Sequence, residues 1–208
     1  MYLPAHFEET RVDVLHALIR EHPLGTLIVH GAQGLEANHI PFELDPEPGP
    51  LGTLRCHVAR ANPVWQSLPA ESLVIFRGEE AYVSPAWYAT KQQNGKVVPT
   101  WNYVAVHAYG APSAVTDPVW LRRLVESLTD RHEAERTDRW RVDDAPGEYI
   151  DKMLTAIVGI ELPISRLLGK WKLSQNRPPA DREGVVTGLR REGDASAADL
   201  ARSMEKRR

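Results

Sequence analysis

The apolar positions along the chain follow two periods, and the period changes near residue 116. Between residues 26 and 115, short runs rich in β-branched residues alternate with turns rich in glycine and proline, which predicts antiparallel strands. The predicted strands cover residues 26–30, 35–44, 53–58, 72–77, 80–84 and 97–115, and the predicted turns cover residues 31–34 and 45–50. The strands at 72–77 and 80–84 are expected to form a hairpin around Gly78.

Helical spacing marks a second set of segments. Apolar residues recur three and four positions apart in residues 10–22 and 117–132, which predicts two amphipathic helices. Shorter helices are predicted at 61–68 and 148–154, a strand at 156–163, and two final helices at 181–191 and 196–206. Because strands dominate the first half, parallel βαβ winding is disfavoured, and we expect an antiparallel barrel with helices outside it. No boundary divides the chain, so we expect one domain over residues 1–208 with helical segments over about 178–208.

The composition excludes several classes of protein. With 42% hydrophobic and 25% charged residues among 208, the chain has enough apolar residues for a sizeable core and is not broadly disordered. Cys56 is the single cysteine, which excludes an internal disulfide and a multi-cysteine metal site, and we interpret it as a small buried apolar residue. No apolar run approaches the roughly 20 residues that span a bilayer, and no secretory signal opens the chain. We therefore expect a cytoplasmic protein with no membrane partner.

Charge is distributed unevenly although the net charge is only −3. Residues 1–110 carry seven basic and eleven acidic side chains, whereas residues 165–208 carry eleven basic and six acidic ones. The basic C-terminal region is the one electrostatic indication of an anionic partner such as DNA, and an exposed helix has the same composition. No helix-turn-helix pattern accompanies it. Binding of DNA through the C-terminal arginines therefore stays open at this point.

Common catalytic motifs are missing from the sequence. It has no glycine-rich nucleotide loop, no nucleophile elbow and no zinc-protease motif, and its eight histidines have no metal-binding spacing. We assign no catalytic residue and no metal site. What the chain does carry is three dense clusters of polar and aromatic residues.

The first cluster is residues 57–63. Here a strand end, the guanidinium of Arg60 and a helix N-terminus meet, which is a favourable arrangement for a phosphate. The same residues also fit a structural role, because Asn62 is a good helix cap and Arg60 can pair with a carboxylate. Both interpretations stay open from the residues alone.

The other two clusters combine aromatic and cationic side chains. Residues 81–103 contain Trp87, Tyr88, Trp101 and Tyr103. Such side chains suit a partly solvated ligand site or a protein interface, and they equally suit the rim of a barrel core. Residues 169–177 hold two lysines, an arginine, a hydroxyl, two amides and a tryptophan, and we interpret them as a loop. Such a loop fits an anion or a neighbouring subunit, and it also fits a solvated surface.

Taken together, six segments resemble the PaiB family, whose members are named FMN-binding negative transcriptional regulators. The segments are residues 1–7, 37–42, 57–63, 82–88, 98–103 and 169–177. The last two, Val-Pro-Thr-Trp-Asn-Tyr and Gly-Lys-Trp-Lys-Leu-Ser-Gln-Asn-Arg, are the most specific. The resemblance implies an α+β fold, namely an antiparallel split β-barrel of the pyridoxamine-phosphate-oxidase type with peripheral helices and a helical C-terminus. It also implies a homodimer with FMN in a groove between subunits.

The resemblance also assigns roles to residues of this chain. The phosphate role falls on His57, Arg60 and Asn62. The role of lining the cleft falls on six residues of the later motifs, namely Trp101, Asn102, Tyr103, Lys170, Lys172 and Ser174.

Three functions fit these assignments. The first is a dimeric protein that binds FMN or another small ligand and acts as a negative transcriptional regulator. The second is an FMN-dependent oxidoreductase that uses the same pocket at the dimer interface, since a flavin supplies the redox chemistry itself. The third is haem binding on the same scaffold, with His57 or His107 as axial ligand. Turnover of NADH or NADPH far above that of free FMN distinguishes the enzyme from the binding protein.

Overall fold

The computed structural model describes residues 1–31 and 34–207, and in them the chain forms ten strands. In chain order these are β1 (Glu8–Glu9), β2 (Leu24–Gly31), β3 (Gly34–Pro41), β4 (Glu43–Asp45), β5 (Thr53–Ala59), β6 (Ser72–Val83), β7 (Thr100–Gly110), β8 (Ser113–Val115), β9 (Ile157–Pro163) and β10 (Arg166–Lys172). Side chains alternate between buried and exposed along most of them, as expected when one face of a sheet covers a core.

Six α-helices accompany the strands in the same described residues. They are α1 (Val12–Glu21), α2 (Thr90–Asn94), α3 (Pro118–Glu133), α4 (Gly147–Thr155), α5 (Pro179–Glu192) and α6 (Ala195–Lys206). Short 3-10 turns form at Ala5–Phe7, Pro63–Ser67, Pro85–Trp87 and Val142–Asp144. The helical C-terminus expected from the sequence is confirmed. Over the ranges that the structure describes, every helix is too short or too polar to cross a membrane.

The strands form two sheets. One has the order β1-β10-β7-β6-β2-β3, and the other has the order β4-β5-β9-β8. Strand β2 pairs antiparallel with β3 over its whole length, and β5 pairs antiparallel with β9 from Thr53↔Pro163 to Ala59↔Ile157. The short strand β1 joins the edge strand β10 through Glu8↔Lys170 and Glu9↔Gly169.

Contacts divide the chain into two compact units, and each is made of separate segments. The first unit contains residues 1–21, 76–107 and 168–208, and the second contains residues 22–75 and 108–167. Strands β6, β7 and β10 contribute residues to both units. The organisation as one domain stays a prediction.

The second unit buries the inward faces of β5 and β9. Leu54, Cys56 and Ile160 are at most 1% exposed, and burial raises the pKa of the Cys56 thiol. A separate group of apolar side chains joins α3 to α4 through Leu121 and Ile150. Asp117 begins α3, because its carboxylate accepts a hydrogen bond from the Trp120 amide at 2.7 Å.

In the first unit, the C-terminal helices dock against the turn that follows β6. The ring of Trp87 lies against Gly188 of α5, where an added Cβ would approach the ring to 2.2 Å. The carboxylate of Asp181 at the start of α5 accepts hydrogen bonds from the amide and hydroxyl of Thr90, both at 2.8 Å. The motifs at 82–88 and 169–177 therefore lie in one unit with α5 and α6.

Several sequence predictions of local structure were wrong. Residues 72–83 form one strand and not a hairpin around Gly78, because β6 has a neighbour on each edge in the sheet and its pairing outweighs the weak strand preference of glycine. The strand predicted at 35–44 divides into β3 and β4, and the one at 97–115 divides into β7 and β8. Residues 169–172 of the segment interpreted as a loop at 169–177 belong to β10.

Of the turn predicted at 31–34, Ala32 and Gln33 lie outside the described residues. Gly31 and Gly34 are register partners at the end of the β2–β3 pair. The helix predicted at 61–68 is a 3-10 turn at Pro63–Ser67, which begins where Asn62 accepts a hydrogen bond from the Val64 amide at 3.0 Å.

Candidate functional site

Two neighbouring strands of the first unit bring aromatic and cationic side chains to one face of the sheet. On β7, Asn102 is buried on one side, and the more exposed Trp101 and Tyr103 alternate with it on the other. On β10, Lys170 and Lys172 lie on the side of Tyr103, with their Nζ atoms 5.4 and 6.0 Å from its ring centroid. We call the side chains of Trp101, Tyr103, Lys170 and Lys172 the lysine–aromatic face.

The two lysines of this face bond to neutral oxygens. Lys170 is 7% exposed, and its Nζ donates to the Tyr2 carbonyl at 2.9 Å. Lys172 donates to the Thr100 hydroxyl at 2.7 Å and to the Trp101 carbonyl at 2.6 Å. Among residues 1–31 and 34–207, neither ammonium has a carboxylate within ion-pair distance. Partly buried positive charge without a counter-ion is unfavourable, so an anion is favoured here.

The pKa shifts near the lysine–aromatic face also indicate a preference for an anion. Burial lowers the pKa of Lys172, and the positive charge of Lys170 lowers it further. Burial also lowers the pKa of His107, again with a contribution from Lys170. Both pKa shifts show that the surroundings disfavour additional positive charge. A bound anion would offset this effect.

A wall of exposed aromatic rings borders the lysines. Trp101 and Tyr82 are each 48% exposed, and their ring centroids lie 6.3 Å apart in an edge-to-face arrangement. Large aromatic side chains left half-exposed are typical of surfaces that contact a planar ligand or another protein.

Asn102 and Ser174, which the resemblance assigns to the cleft, lie on the opposite, buried side of the sheet. Asn102 is fully buried and Ser174 is 3% exposed. The Asn102 Nδ2 donates to the Ser174 Oγ at 2.9 Å and contacts the Met204 Sδ of α6 at 3.9 Å. They support the lysine–aromatic face from behind and do not line it.

The residues assigned to the phosphate lie in the second unit. Arg60 donates from Nε to the Thr155 carbonyl at 2.7 Å and from Nη2 to the Ile157 carbonyl at 3.0 Å. Its guanidinium therefore binds the carbonyl of Thr155, the last residue of α4, and that of Ile157, the first residue of β9. A helix leaves its last carbonyls without partners within the helix, so the first of these contacts satisfies one of them. Asn62 caps the following 3-10 turn and donates to the Asn38 side chain at 2.7 Å.

His57 is the third of these residues and lies on β5 opposite Gly159. Its Nδ1 is buried and has no hydrogen-bond partner within the described ranges. Burial lowers the pKa of this imidazole, so it is neutral at pH 7. A neutral ring with one buried nitrogen contributes no charge to a phosphate.

Sequence reasoning missed two residues that complete the lysine–aromatic face. The Tyr2 carbonyl and the Thr100 hydroxyl hold Lys170 and Lys172, and the Tyr2 ring lies 5.6 Å from the Lys170 Nζ. Both fall within motifs of the resemblance, but no local pattern brings residue 2 beside residue 170. The pairing of β1 with β10 does so.

No cluster of three or more His, Cys, Asp or Glu side chains suited to a metal occurs in the part of the chain that the structure describes. The lysine–aromatic face offers two positive charges beside aromatic rings, which suits an anion that carries a flat ring system.

Comparison with known proteins identifies the family. Residues 1–166 match the protein-family model described as "Putative FMN-binding domain". A Bacillus subtilis protein named "Protease synthase and sporulation protein PAI 2" is 30% identical, with 99% of this chain and 97% of that protein covered. An Aspergillus fumigatus protein is 35% identical over all of this chain and 97% of its own length. The chain belongs to the family that this model describes, and the resemblance to PaiB is confirmed.

Solved structures support the same fold. The FAD and heme binding protein from Mycobacterium smegmatis superposes with a TM-score of 0.62 at 19% identity, covering 87% of this chain and 80% of its own. The flavocytochrome Anf3 from Azotobacter vinelandii superposes with a TM-score of 0.60 at 13% identity, covering 79% and 69%. The fold class is the predicted one, an antiparallel split β-barrel of the α+β class with peripheral helices.

Proposed function

We propose that the protein binds FMN on the lysine–aromatic face and acts as a binding protein whose ligand state influences gene expression. One observation carries the proposal: Lys170 and Lys172 flank an aromatic ring and have no carboxylate partner in the described residues. FMN combines the two features that such a face recognises, a phosphate and a planar aromatic ring system.

The donor set fits this ligand. Lys172 and the Thr100 hydroxyl would hold the phosphate, Lys170 would add positive charge, and the half-exposed Trp101 and Tyr103 would contact the isoalloxazine ring. A bound flavin would supply reversible electron and hydride transfer. The residues of this chain would bind it and exclude water from one side.

The assignment of the phosphate to His57, Arg60 and Asn62 stays a prediction. We favour the lysines because two ammonium groups lie beside one aromatic ring, that of Tyr103, whereas Arg60 is a single cation whose Nε and Nη2 already donate to backbone carbonyls. Substitution of Lys172 and substitution of Arg60, each followed by an FMN titration, distinguish the two assignments.

We also propose that the protein is a homodimer. The exposed Tyr82 and Trp101 support this, because a second copy would cover apolar area that is otherwise exposed to water. Light scattering at micromolar concentration should give about twice the chain mass of 23.3 kDa. Trp101→Glu should shift the protein towards the monomer, and a monomeric wild-type protein contradicts the dimer.

The regulatory role is proposed by likeness to PaiB and to the Bacillus subtilis relative named "Protease synthase and sporulation protein PAI 2". Internal ion pairs of the C-terminal arginines favour an indirect effect over contact between these arginines and DNA. Arg190 pairs with Glu205 at 2.8 Å, and Arg202 and Arg207 pair with Asp199 and Glu9. Cytoplasmic location stays a prediction.

Titration with FMN, followed by flavin fluorescence, tests the binding. Wild-type protein should bind FMN, and Lys172→Ala should weaken binding by roughly one to two decades because a charge-assisted hydrogen bond is lost. Lys152→Ala, which removes an exposed lysine of α4, is the matched control and should leave the affinity unchanged. Failure of the wild-type protein to bind FMN, or equal losses in both variants, contradicts the proposal.

A further inference from the structure

The buried polar side chains of the first unit are concentrated where the C-terminal helices attach. Glu9, Asn102, Ser174 and Asp181 are at most 5% exposed. Glu9 pairs with Arg207 just beyond α6, and Asp181 of α5 binds Thr90. Asn102 contacts Met204 of α6 and binds Ser174. Burying polar groups is unfavourable for stability, so their concentration here indicates that they fix one arrangement of α5 and α6.

The Asn102–Ser174 hydrogen bond lies directly behind the lysine–aromatic face. Asn102 is between Trp101 and Tyr103 on β7, and side chains alternate sides along a strand, so its amide points away from their rings. Ser174 follows Lys172 by two residues, immediately after β10 ends. The bond thus joins β7 and β10 from behind at the level where their front sides carry Trp101 and Lys172.

The backbone conformation of Ser174 also indicates a role for its side chain. Ser174 has a φ of 61°, and it is the one residue other than glycine with positive φ in the described ranges. This conformation is unfavourable for serine, whereas glycine adopts it freely. Ser174 therefore contributes something that glycine lacks, and its hydroxyl, which accepts from Asn102, is the visible candidate.

We propose that Asn102 and Ser174 are positioning residues that set the distance between Lys172 and the Thr100–Trp101 segment. Met204 of α6 contacts Asn102 and supports this arrangement. This places the Lys172 ammonium where it meets an anion beside the aromatic rings. The inference rests on the proposed function. It also assigns a ligand-related role to α6, which lies beyond the residues 1–166 matched by the family model.

A pair of substitutions at one position separates positioning from stability. Ser174→Gly relieves the positive φ but leaves the buried Asn102 amide without its acceptor, so these two effects on the melting temperature oppose each other. Ser174→Thr keeps the hydroxyl and adds a branch at Cβ that disfavours positive φ, so the melting temperature should fall. At a temperature where both variants are folded, positioning predicts that the glycine variant binds FMN about tenfold more weakly and that the threonine variant, although destabilised, keeps its affinity.

The ligand comparison adds a second test. Lumiflavin has the ring system of FMN without the ribityl phosphate chain, so a displaced Lys172 should weaken FMN binding and leave lumiflavin binding unchanged. A general loosening of the unit should weaken both. The inference is overturned if Ser174→Gly binds FMN as the wild type does, or if both ligands lose affinity in parallel.

One readout needs no ligand and separates this inference from the proposed function. Acetic anhydride acetylates lysines faster when solvent reaches their amino groups. Mass spectrometry measures the acetylation rate of Lys172 relative to that of the exposed Lys152 in the same sample. This relative rate should be higher in Ser174→Gly than in the wild type. If the wild type binds neither flavin and this acceleration is observed, the proposed function fails and the positioning stands. An unchanged rate at Lys172 overturns the positioning.

Discussion

At the scale of single residues, Arg60 illustrates how one pattern supports two chemistries. A guanidinium at a strand end beside a helix N-terminus is suited to a phosphate, and the sequence contains nothing that selects between a phosphate and another acceptor. The structure has carbonyls of Thr155 and Ile157 as acceptors, almost a hundred residues away in sequence. Arg60 thereby ties β5 to the C-terminal end of α4 by charge-assisted hydrogen bonds.

Arg60→Ala should therefore lower stability more than it lowers ligand affinity. Loss of these bonds, at an exposed site, should reduce the free energy of unfolding by about 1–2 kcal/mol. Arg60→Lys should recover part of it, because an ammonium still favours a helix C-terminus but lacks the planar fork. Melting curves without ligand, beside an FMN titration, measure both effects. A tenfold loss of FMN affinity with an unchanged melting curve would return the phosphate to residues 57–62.

Glu9 is the other residue whose behaviour follows from its contacts. It is 5% exposed and accepts hydrogen bonds from the Arg11 amide at 2.9 Å and from the Arg11 Nη2 at 2.8 Å. The Arg11 side chain is the main cause that lowers the pKa of Glu9 from its ordinary 4.5 to about 2, with Arg207 contributing. The carboxylate is thus held ionised in the folded protein.

The sign of the pH effect follows from that lowered pKa. In the unfolded chain Glu9 binds its proton near pH 4.5, so its contribution to stability is complete above that pH and is lost as pH falls towards 2. Allowing for the exposure of Arg11, the loss should be about 1–3 kcal/mol. Urea unfolding at pH 7 and pH 3 should show a smaller pH dependence for Glu9→Gln than for wild type. The exposed Glu8→Gln serves as control, and equal slopes in all three proteins contradict the assignment.

At the scale of elements, local sequence patterns predicted that a helix or strand exists better than they predicted where it begins and ends. The helix predicted at 117–132 forms at Pro118–Glu133, because a cap at Asp117 and a stripe of leucines both mark it. The strand β6 was misread because a glycine within a strand carries the same local signal as a turn. What decides between them is pairing on both edges, which belongs to the sheet and not to the segment.

Gly188 of α5 shows the reverse case, because the packing of α5 against Trp87 leaves no room for a side chain at this position. Alanine is the better helix former by about 0.5–1 kcal/mol, yet a Cβ at Gly188 would meet the Trp87 ring at 2.2 Å. Gly188→Ala should therefore destabilise the protein by about 1–3 kcal/mol despite its higher helix propensity. Thr187→Ala, at an exposed neighbouring position, should be neutral or slightly stabilising. Chemical denaturation compares the two, and a stabilised Gly188→Ala would show that the ring moves aside at little cost.

At the scale of the whole molecule, the class of fold was predictable and the site was only partly so. The change of period near residue 116 and the turn-rich first half indicate an antiparallel fold. The motif resemblance named Lys170, Lys172, Trp101 and Tyr103 together. It did not separate them from Asn102 and Ser174, because adjacent residues on a strand share a motif but point to opposite sides. That distinction requires the register of β7, which one sequence does not specify.

Charge distribution is also a property of the whole molecule, and it governs whether DNA is a partner. The sequence places a basic cluster at the C-terminus, but a charge already paired within the protein attracts phosphate less. Arg190, Arg202 and Arg207 have carboxylate partners, Arg207 also lies 4.8 Å from the Trp171 ring centroid, and Arg208 is outside the described residues. Arg191 and Lys206 are the exposed basic side chains of the two helices that have no carboxylate within ion-pair distance in the described residues.

We therefore expect DNA binding by this region to be weak and sensitive to salt. Non-specific affinity set by a few cations corresponds to dissociation constants of about 10⁻⁴–10⁻⁶ M near physiological salt and falls steeply as salt rises. Fluorescence anisotropy with a labelled duplex at 50 and 200 mM salt measures this. The double variant Arg191→Glu with Lys206→Glu should remove the remaining binding, and Lys152→Glu on α4 should not. These substitutions leave the docking of α5 and α6 intact, whereas truncation would expose the core beneath them. Tight binding to one operator sequence that survives 200 mM salt and the double variant would mean that another surface reads DNA.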